Sequence, residues 1–169
     1  MRWLPVKKQS ATGFTLLEIG MVLIIAGIIM FVSTGAWTVL LEGKRVSATR
    51  NLLNTSNSCL QQYTTLSKRV PTTTFFSKNC MKIDPWGNAL HFFSGASAQE
   101  INCTTQLSNL KNIKRADGSI IPSVAWIIVS PGPNKKLDLV SSTNMWDLSK
   151  GDDIYVFVTD MELHQKVCN

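Results

Sequence analysis

The stretch that decides the fold is residues 13–41, GFTLLEIGMVLIIAGIIMFVSTGAWTVLL. From Ile19 to Leu41 it runs for 23 residues without a charged side chain. At about 1.5 Å per residue, about 20 helical residues cross the hydrocarbon core of a bilayer. The length and apolarity of this stretch therefore predict a membrane-spanning helix over residues 14–41.

Glu18 is the one charged side chain within this stretch. On insertion scales a carboxylate inside a membrane helix costs about 2.5–3.5 kcal/mol, so such a residue is a functional candidate. Two interpretations are open at this point. Glu18 either reaches the lipid headgroups from the end of an ordinary anchor, or it pairs with a fixed cation.

The residues around Gly13 favour the pairing interpretation. Lys7 and Lys8 lie in a short polar leader, which is followed by Gly13 and then by FTLLE at residues 14–18. This ordered combination resembles the class III signal of the type IV pilin superfamily. In that family an inner-membrane aspartyl prepilin peptidase cuts after the glycine and N-methylates the new terminal residue. The resemblance places the cut between Gly13 and Phe14 and the methyl group on Phe14.

The resemblance also implies a role for Glu18. A cut after Gly13 creates an ammonium on Phe14, about one helical turn from Glu18, and a neighbouring subunit would carry the same ammonium. A buried charge costs much less when it is paired, so the contact would act as a register device. In the family this contact is held to guide a new subunit into the growing filament. Glu18 is therefore the predicted assembly residue.

Two other kinds of targeting segment are alternatives to this resemblance. A secretory signal peptide has an apolar core of about 7–15 residues and a small-residue cleavage site, for which TGA at residues 34–36 qualifies. The apolar core here is longer and contains Glu18. An uncleaved signal anchor fits the length, but three basic residues between positions 44 and 50 balance the three in the leader, so its orientation is not fixed.

Half of the net charge belongs to the predicted leader. The whole chain carries +6, from 17 basic and 11 acidic residues. Removing Arg2, Lys7 and Lys8 leaves 14 basic and 11 acidic residues, a net charge of +3. This argues against a nucleic-acid partner, which would require a concentrated basic surface. A set of three basic residues at Lys111, Lys114 and Arg115 is more typical of a solvated face than of a binding site.

The four cysteines, Cys59, Cys80, Cys103 and Cys168, all lie beyond the apolar stretch. An even number without a CxxC pair or clustered histidines predicts two disulfides formed in an oxidising compartment. Four cysteines allow three connectivities, and the sequence does not choose among them. We favour Cys59 with Cys80 and Cys103 with Cys168.

The predicted helix continues past the apolar stretch to about residue 68. Two apolar series with a spacing of seven form one stripe, which is typical of a helix lying on a domain. The series are Val46, Leu53 and Leu60, and Leu52, Cys59 and Leu66. Lys68 and Arg69 suit the negative end of the helix dipole, and Pro71 predicts a stop.

The remaining chain has the turn and strand signals of a small domain. DPWGN at residues 84–88 predicts a turn before a strand at 89–93, and the apolar runs 124–129 and 154–158 predict two more strands. Cys103 falls in a candidate strand, and Trp86 is predicted to be a packing anchor. DPWGN and the pair SPGP (130–133) and GDDI (151–154) resemble pseudopilins of type II secretion systems.

The resemblance to pseudopilins raises the question of a calcium site. In major pseudopilins a loop in this region holds calcium through carboxylates and backbone oxygens, and Asp152, Asp153 and Asp138 are the candidates here. Lys135 and Lys136 lie where that family tends to place an acidic residue and a glycine, and they oppose cation binding. The other interpretation is that these acids cap and solvate a turn, with no cofactor.

Together these patterns predict an α+β, pilin-like fold in four parts. They are a leader (1–13), a membrane-spanning and filament-core half of a long helix (14–41), its amphipathic half (42–70), and a periplasmic domain (71–169). A small antiparallel sheet packs on the helix. The predicted location is the bacterial inner membrane, with a single pass and the C-terminal domain in the periplasm, and then a filament.

The predicted function is structural. No catalytic motif accompanies the isolated His91 and His164, so we expect a filament subunit and not an enzyme. The resemblance implies a prepilin peptidase, other pilin or pseudopilin subunits, an inner-membrane assembly platform and the bilayer as partners. We favour a type II secretion pseudopilin, with a type IV pilus subunit as the alternative. An alternative of another class is a bitopic membrane protein with a binding or sensor domain.

Overall fold

The computed structural model describes residues 15–168, with the side chains of residues 32–36 left undescribed. The chain divides into two compact units, Met1–Glu42 and Gly43–Asn169. The helices are α1 (Leu16–Ser67), α2 (Thr73–Phe75) and α3 (Asp160–Cys168), and a π-helical turn occupies Phe76–Cys80. The strands are β1 (His91–Ser94), β2 (Lys111–Lys114), β3 (Ile120–Ser130), β4 (Val140–Ser141), β5 (Met145–Asp147) and β6 (Ile154–Thr159).

Helix α1 begins and ends within two residues of the predicted positions. Its first turn is capped by Thr15, whose hydroxyl accepts a hydrogen bond from the Glu18 N–H at 3.3 Å. At the other end, Lys68 has a φ of 51°. Its N–H donates to the Thr64 carbonyl at 2.8 Å. A left-handed residue just past the last turn is a common helix end, so the stop comes before Pro71.

In the second unit, α1 buries a stripe that is more polar than predicted. The buried positions Thr49, Leu53, Ser56, Leu60 and Thr64 advance by three or four residues, which keeps them on one face. The Thr49 and Thr64 hydroxyls donate to carbonyls four residues earlier, at 2.9 and 2.8 Å. These internal bonds allow small polar side chains to be buried without loss of a hydrogen bond.

The predicted stripe is therefore right at Leu53 and Leu60 and wrong at Leu66, which is 80% exposed. A strict spacing of seven drifts around a helix of 3.6 residues per turn. Leu66 lies six residues beyond Leu60, about 120° away from the buried face at 100° per residue.

The sheet is built around β3. Strands β1 and β2 pair antiparallel with successive parts of one side of β3, and β6 pairs antiparallel with the other side. Strand β5 continues the sheet beyond β2, and β4 pairs antiparallel with β5. The β2–β5 pair is parallel, so the prediction of an antiparallel sheet is correct for every other pair and wrong there.

Both faces of the sheet are covered. On the side of α1, Leu53, Leu60, Phe92, Trp126 and Ile128 belong to one apolar cluster. On the other side a second cluster includes Ile127 and Val129 of β3 and Leu137, Leu139 and Trp146 of the 137–148 segment. Residues 124–129 are all completely buried, as their unbroken apolar run predicts.

The two disulfides join Cys59 to Cys80 and Cys103 to Cys168, so the favoured connectivity is confirmed. The first links α1 to the π-helical turn. The second links the 101–110 segment to α3. Cys103 lies in a turn, which corrects the candidate strand at this position. The C-terminal residues that contain Cys168 form α3, an element that the sequence analysis did not predict.

Within residues 15–168 no helix combines the length and apolarity needed to cross a membrane. The prediction that residues 14–41 make a single pass through the inner membrane, with the C-terminal domain in the periplasm, is therefore wrong.

Candidate assembly interface

The described part of the first unit exposes large apolar side chains on every side of α1. Met21, Val22, Leu23, Ile24 and Ile25 are consecutive, and they are 62, 58, 67, 66 and 56% exposed. Successive residues of a helix are about 100° apart, so five in a row cover all directions around the axis. Eleven further exposed residues lie at Leu16, Leu17, Ile19, Ile28, Ile29, Met30, Phe31, Trp37, Val39, Leu40 and Leu41.

A helix of this kind requires an apolar environment around it. Fully burying one Leu, Ile or Phe side chain contributes about 1.5–3 kcal/mol, and here most such side chains are exposed in the single chain. A surface helix of a globular protein has one apolar stripe and one polar face, whereas the described side chains at 16–31 and 37–41 form no polar face. We define residues 16–41 as the apolar segment, the candidate assembly interface.

Glu18 lies in the first turn of the apolar segment and is exposed. Its N–H donates to the Thr15 carbonyl at 3.0 Å as well as to the Thr15 hydroxyl. Thr15 and Glu18 have the T-x-x-E spacing of a capping box, a signal that the sequence analysis missed. Glu18 therefore stabilises the helix start, since a negative charge there complements the helix dipole. Gly13 and Phe14, the predicted cleavage and methylation site, lie outside the described residues.

The fold brings the three calcium candidates together. The Asp153 Oδ2 atom accepts the Asp138 N–H at 3.0 Å, and the Asp152 Oδ2 atom accepts the Asn134 N–H at 3.2 Å. The Asn134 side-chain amide donates to Asp138 Oδ2 at 2.8 Å. These carboxylates thus hold the 134–138 loop against the 152–153 turn, as the turn-capping interpretation requires.

Burial of the Asp153 carboxyl group dominates the electrostatics of this loop. Burial raises the pKa of Asp153 to about 6, although the Asp138 N–H works against the shift, and the neighbouring Asp138 and Asp152 carboxylates raise it further. In residues 15–168 no group of three or more His, Cys, Asp or Glu side chains is arranged to hold a metal ion.

Two sequence motifs predicted separately meet around the buried Asp84. Its Oδ1 atom accepts the N–H groups of Trp86 and Asn88 at 3.0 and 2.8 Å. Its Oδ2 atom accepts the Asn88 amide at 3.1 Å and the Ser130 hydroxyl at 2.7 Å. The Asn88 amide also donates to the Gly132 carbonyl at 3.2 Å. The DPWGN turn is thereby fixed to the SPGP turn.

Gly132 extends this arrangement to the third motif. It has a φ of 68°, and a Cβ atom built on it would lie 2.7 Å from the Asp152 carbonyl oxygen. A side chain is therefore excluded by both the backbone conformation and the available space. We call residues 84–88, 130–134 and 151–153 the turn cluster. The sequence shows each motif, but their convergence depends on the pairing of β3 with β6.

The three basic residues on β2 and after it are engaged within the domain. Lys111 Nζ donates to the Ser142 carbonyl at 2.7 Å and lies 5.5 Å from the Trp146 ring centroid. Lys114 pairs with Asp147 at 3.6 Å, and Arg115 lies over the Phe157 ring. These contacts agree with a structural role for the three residues.

His164 connects α3 with the 102–105 turn. Its Nδ1 atom lies 3.0 Å from the Asp160 carbonyl oxygen, and its Nε2 atom lies 3.1 Å from the carbonyl oxygens of Asn102 and Thr105. These carbonyl hydrogen bonds, with the one to Asp160 foremost, raise the pKa of His164. His91 is exposed and stacks on Phe93, so the two histidines have unrelated surroundings.

Comparisons of this chain with protein-family models, with curated proteins and with solved structures find no match.

Proposed function

We propose that this protein is a structural subunit of a type IV-like filament, with no catalytic activity of its own. A prepilin peptidase cuts it after Gly13 and methylates Phe14, and the mature chain assembles through its N-terminal helix into a pilin-like architecture. The observation that carries the proposal is that apolar side chains are exposed on every side of the helix at residues 16–31 and 37–41.

The distribution of exposed apolar residues favours many neighbours over one. A two-fold dimer covers a single face of each helix, because both copies use the same patch. Side chains exposed in every direction require helices on several sides, and repeated head-to-tail contacts provide them. Such contacts produce an open helical filament when the rotation between subunits does not close a ring.

Glu18 supplies the register in this proposal. An apolar interface has no direction of its own, so many axial positions of one helix along another have similar energies. A carboxylate that must meet the Phe14 ammonium of a neighbour selects one position, because an unpaired charge in an apolar contact is costly.

Two observations bear on which system the filament serves. The turn cluster, built from DPWGN, SPGP and GDDI, supports a type II secretion pseudopilin. The Cys103–Cys168 disulfide, with a sequence separation of 65, supports the alternative of a type IV pilus subunit with a disulfide-closed C-terminal region. We favour the pseudopilin because three separate motifs contribute to it.

The first test is processing. When the full chain is produced together with a prepilin peptidase, we expect a mature N-terminus at N-methyl-Phe14, measured by intact-mass and N-terminal peptide spectrometry. Gly13→Val serves as the matched control, because it removes the scissile glycine and leaves the apolar segment unchanged. A chain that keeps Met1, or one cut near Ala36, would contradict the proposal.

The second test separates the two roles of Glu18. Glu18→Gln keeps a residue suited to the capping box and removes the charge, whereas Thr15→Ala removes the cap and keeps the charge. Losing one member of a buried ion pair costs about 3–5 kcal/mol, so Glu18→Gln should enter sheared filaments poorly. Thr15→Ala costs about 1 kcal/mol and should enter them nearly as well as the unchanged chain. If Glu18→Gln enters filaments as well as Thr15→Ala does, Glu18 has only the capping role.

A further inference from the structure

Strand β6 has a free edge. It pairs through Val124–Ser130 of β3 on one side, and in residues 15–168 no strand pairs with its other side. The backbone hydrogen bonds formed outside helices and strands in this part of the chain also involve no residue of β6. Alternate N–H and C=O groups of β6 therefore point away from the sheet and are available to another strand.

Strand β6 itself lacks most of the features that protect sheet edges from other chains, although its ladder with β3 has one irregularity, between Val124 and Trp126 of β3. Natural proteins shorten edge strands, or place charges, prolines or bulges on them. The other open edges follow that rule, since β4 has two residues and β1 has four. Strand β6 has six residues, IYVFVT, without a charge, proline or glycine.

A groove with a volume of about 410 Å³ runs beside the N-terminal part of this edge. One wall is formed by residues 153–156, and the other by Arg50, Leu53 and Asn54 of α1. The groove is thus bounded by a sheet edge and a helix, which leaves space for an added strand.

The groove is lined by one charged side chain that has no partner among the described residues. The exposed Arg50 has no ion pair or hydrogen bond in residues 15–168. A complementary ligand offers a carboxylate to Arg50.

We propose that the edge of β6 binds an extended segment of another protein, which adds a strand to the sheet and presents an acidic side chain to Arg50. Main-chain hydrogen bonds to β6 supply affinity that depends little on sequence, and the groove beside α1 supplies selectivity. This inference concerns residues 50–54 and 153–159 and does not depend on the filament proposal.

A second copy of the chain fits this edge less well. A two-fold pairing of β6 with β6 runs antiparallel, so Asp152 and Asp153 of one copy would approach Asp160 and Glu162 of the other. Like charges brought together across paired strands are destabilising. The four residues of β1 and the two of β4 are too few to cover six residues of β6.

The test uses the full chain in mild nonionic detergent and a fluorescent peptide of about eight residues that alternates valine and threonine around one glutamate. Binding is measured by anisotropy and located by hydrogen exchange. We expect protection of residues 154–159 and none at 111–114. Two further peptides carry N-methyl groups on alternate residues, one on the odd positions and the other on the even positions. Methylation of the N–H groups that face β6 should abolish binding, whereas methylation of the N–H groups that face away from β6 should preserve it.

Variants of the protein complete the experiment. Arg50→Gln should weaken binding of the glutamate peptide by about tenfold, because it removes a charge-assisted contact. A peptide with glutamine instead of glutamate should bind the unchanged protein and the Arg50→Gln variant equally weakly. Lys82→Gln, at an exposed lysine that does not line the groove, should leave binding unchanged. The proposal is overturned if no peptide protects residues 154–159, or if sedimentation shows self-association blocked by the peptide, which would assign the edge to a second copy.

Discussion

The two units use apolar side chains in opposite ways. In residues 16–41 of α1 they are exposed on every side, and Leu23 is 67% exposed. In the second unit they are buried on both faces of a sheet, and Leu60 is completely buried. Both leucines belong to the same helix. The second half of α1 contributes to a core that is complete within the domain, whereas the described apolar side chains of its first half are mostly exposed.

This division has a consequence for mutational effects. A change in the domain should alter the free energy of unfolding and affect assembly only through the loss of folded protein. A change in the apolar segment should leave unfolding unchanged and alter association directly.

Removing the Cys103–Cys168 disulfide is the most disruptive change expected in the domain. For a separation of 65 residues the chain-entropy relation gives a stabilisation of about 4 kcal/mol. We predict that Cys103→Ala with Cys168→Ala lowers the free energy of unfolding by about this amount. The measurement is urea unfolding in mild detergent, followed by tryptophan fluorescence.

The matched control removes the Cys59–Cys80 disulfide, which has a separation of 21 residues. The same relation gives a smaller loss of about 3 kcal/mol. If the order of the two losses were reversed, local packing around the π-helical turn would outweigh loop length.

The second prediction compares leucines of the two units. Leu60→Ala leaves a cavity in the domain core and should cost about 3 kcal/mol in unfolding. Leu23→Ala removes an exposed side chain and should change unfolding by less than about 0.5 kcal/mol. Incorporation into filaments should be reduced by Leu23→Ala. A destabilising effect of Leu23→Ala on the domain would break the proposed separation.

The third prediction concerns the turn cluster. Asp84 is buried and accepts four hydrogen bonds from two turns. Asp84→Ala leaves those donors unsatisfied and should cost about 2–3 kcal/mol. Asp117 caps an exposed turn through the Ser119 N–H, so Asp117→Ala should cost less than about 0.5 kcal/mol. Similar losses for the two variants would show that the DPWGN turn is no more than an ordinary surface turn.

The sequence predicted elements with strong local signals. The extent of α1, the buried strand at 124–129 and the position of β6 follow from apolar runs and from the stop that Pro71 predicts for the helix. Both disulfides agree with the favoured pairing, although cysteine spacing alone left three connectivities open. Asp138, Asp152 and Asp153 lie in one region of the structure, and calcium binding by them stays a prediction.

The remaining features depend on contacts that a local pattern does not contain. The parallel β2–β5 pair and the convergence of three turns arise from long-range strand pairing. The buried Thr49, Ser56 and Thr64 were missed because their hydroxyls are satisfied by backbone carbonyls, so polarity gave a misleading signal. The capping box at Thr15 was missed because Glu18 was interpreted only as a charge in an apolar stretch and not as part of a helix start.

The smallest predicted effect is a pH dependence within the domain, centred on His164. Both ring nitrogens face oxygen acceptors, with Asp160 Oδ1 3.2 Å from Nδ1 in addition to the three carbonyl oxygens. A neutral imidazole has one N–H group and the imidazolium has two. The folded state therefore favours the charged form, and the pKa of His164 lies above its ordinary value of 6.5.

The sign of the effect follows from this direction. Because the pKa is higher in the folded state, the stabilisation is fully present below about pH 6.5 and is lost as the pH rises through the folded-state value. We predict that the free energy of unfolding falls by about 1 kcal/mol above that value, the contribution of an ordinary hydrogen bond.

His164→Gln should remove this decrease, whereas His91→Gln should retain it. The pKa of Asp153 is about 6, so its contribution to the pH dependence of unfolding lies at lower pH. Measuring all variants in a protein that also carries Asp153→Asn removes that contribution. A pKa of His164 at or below 6.5, measured by NMR titration, would contradict the assignment, because it would mean that one of the two ring nitrogens faces its acceptors without a proton.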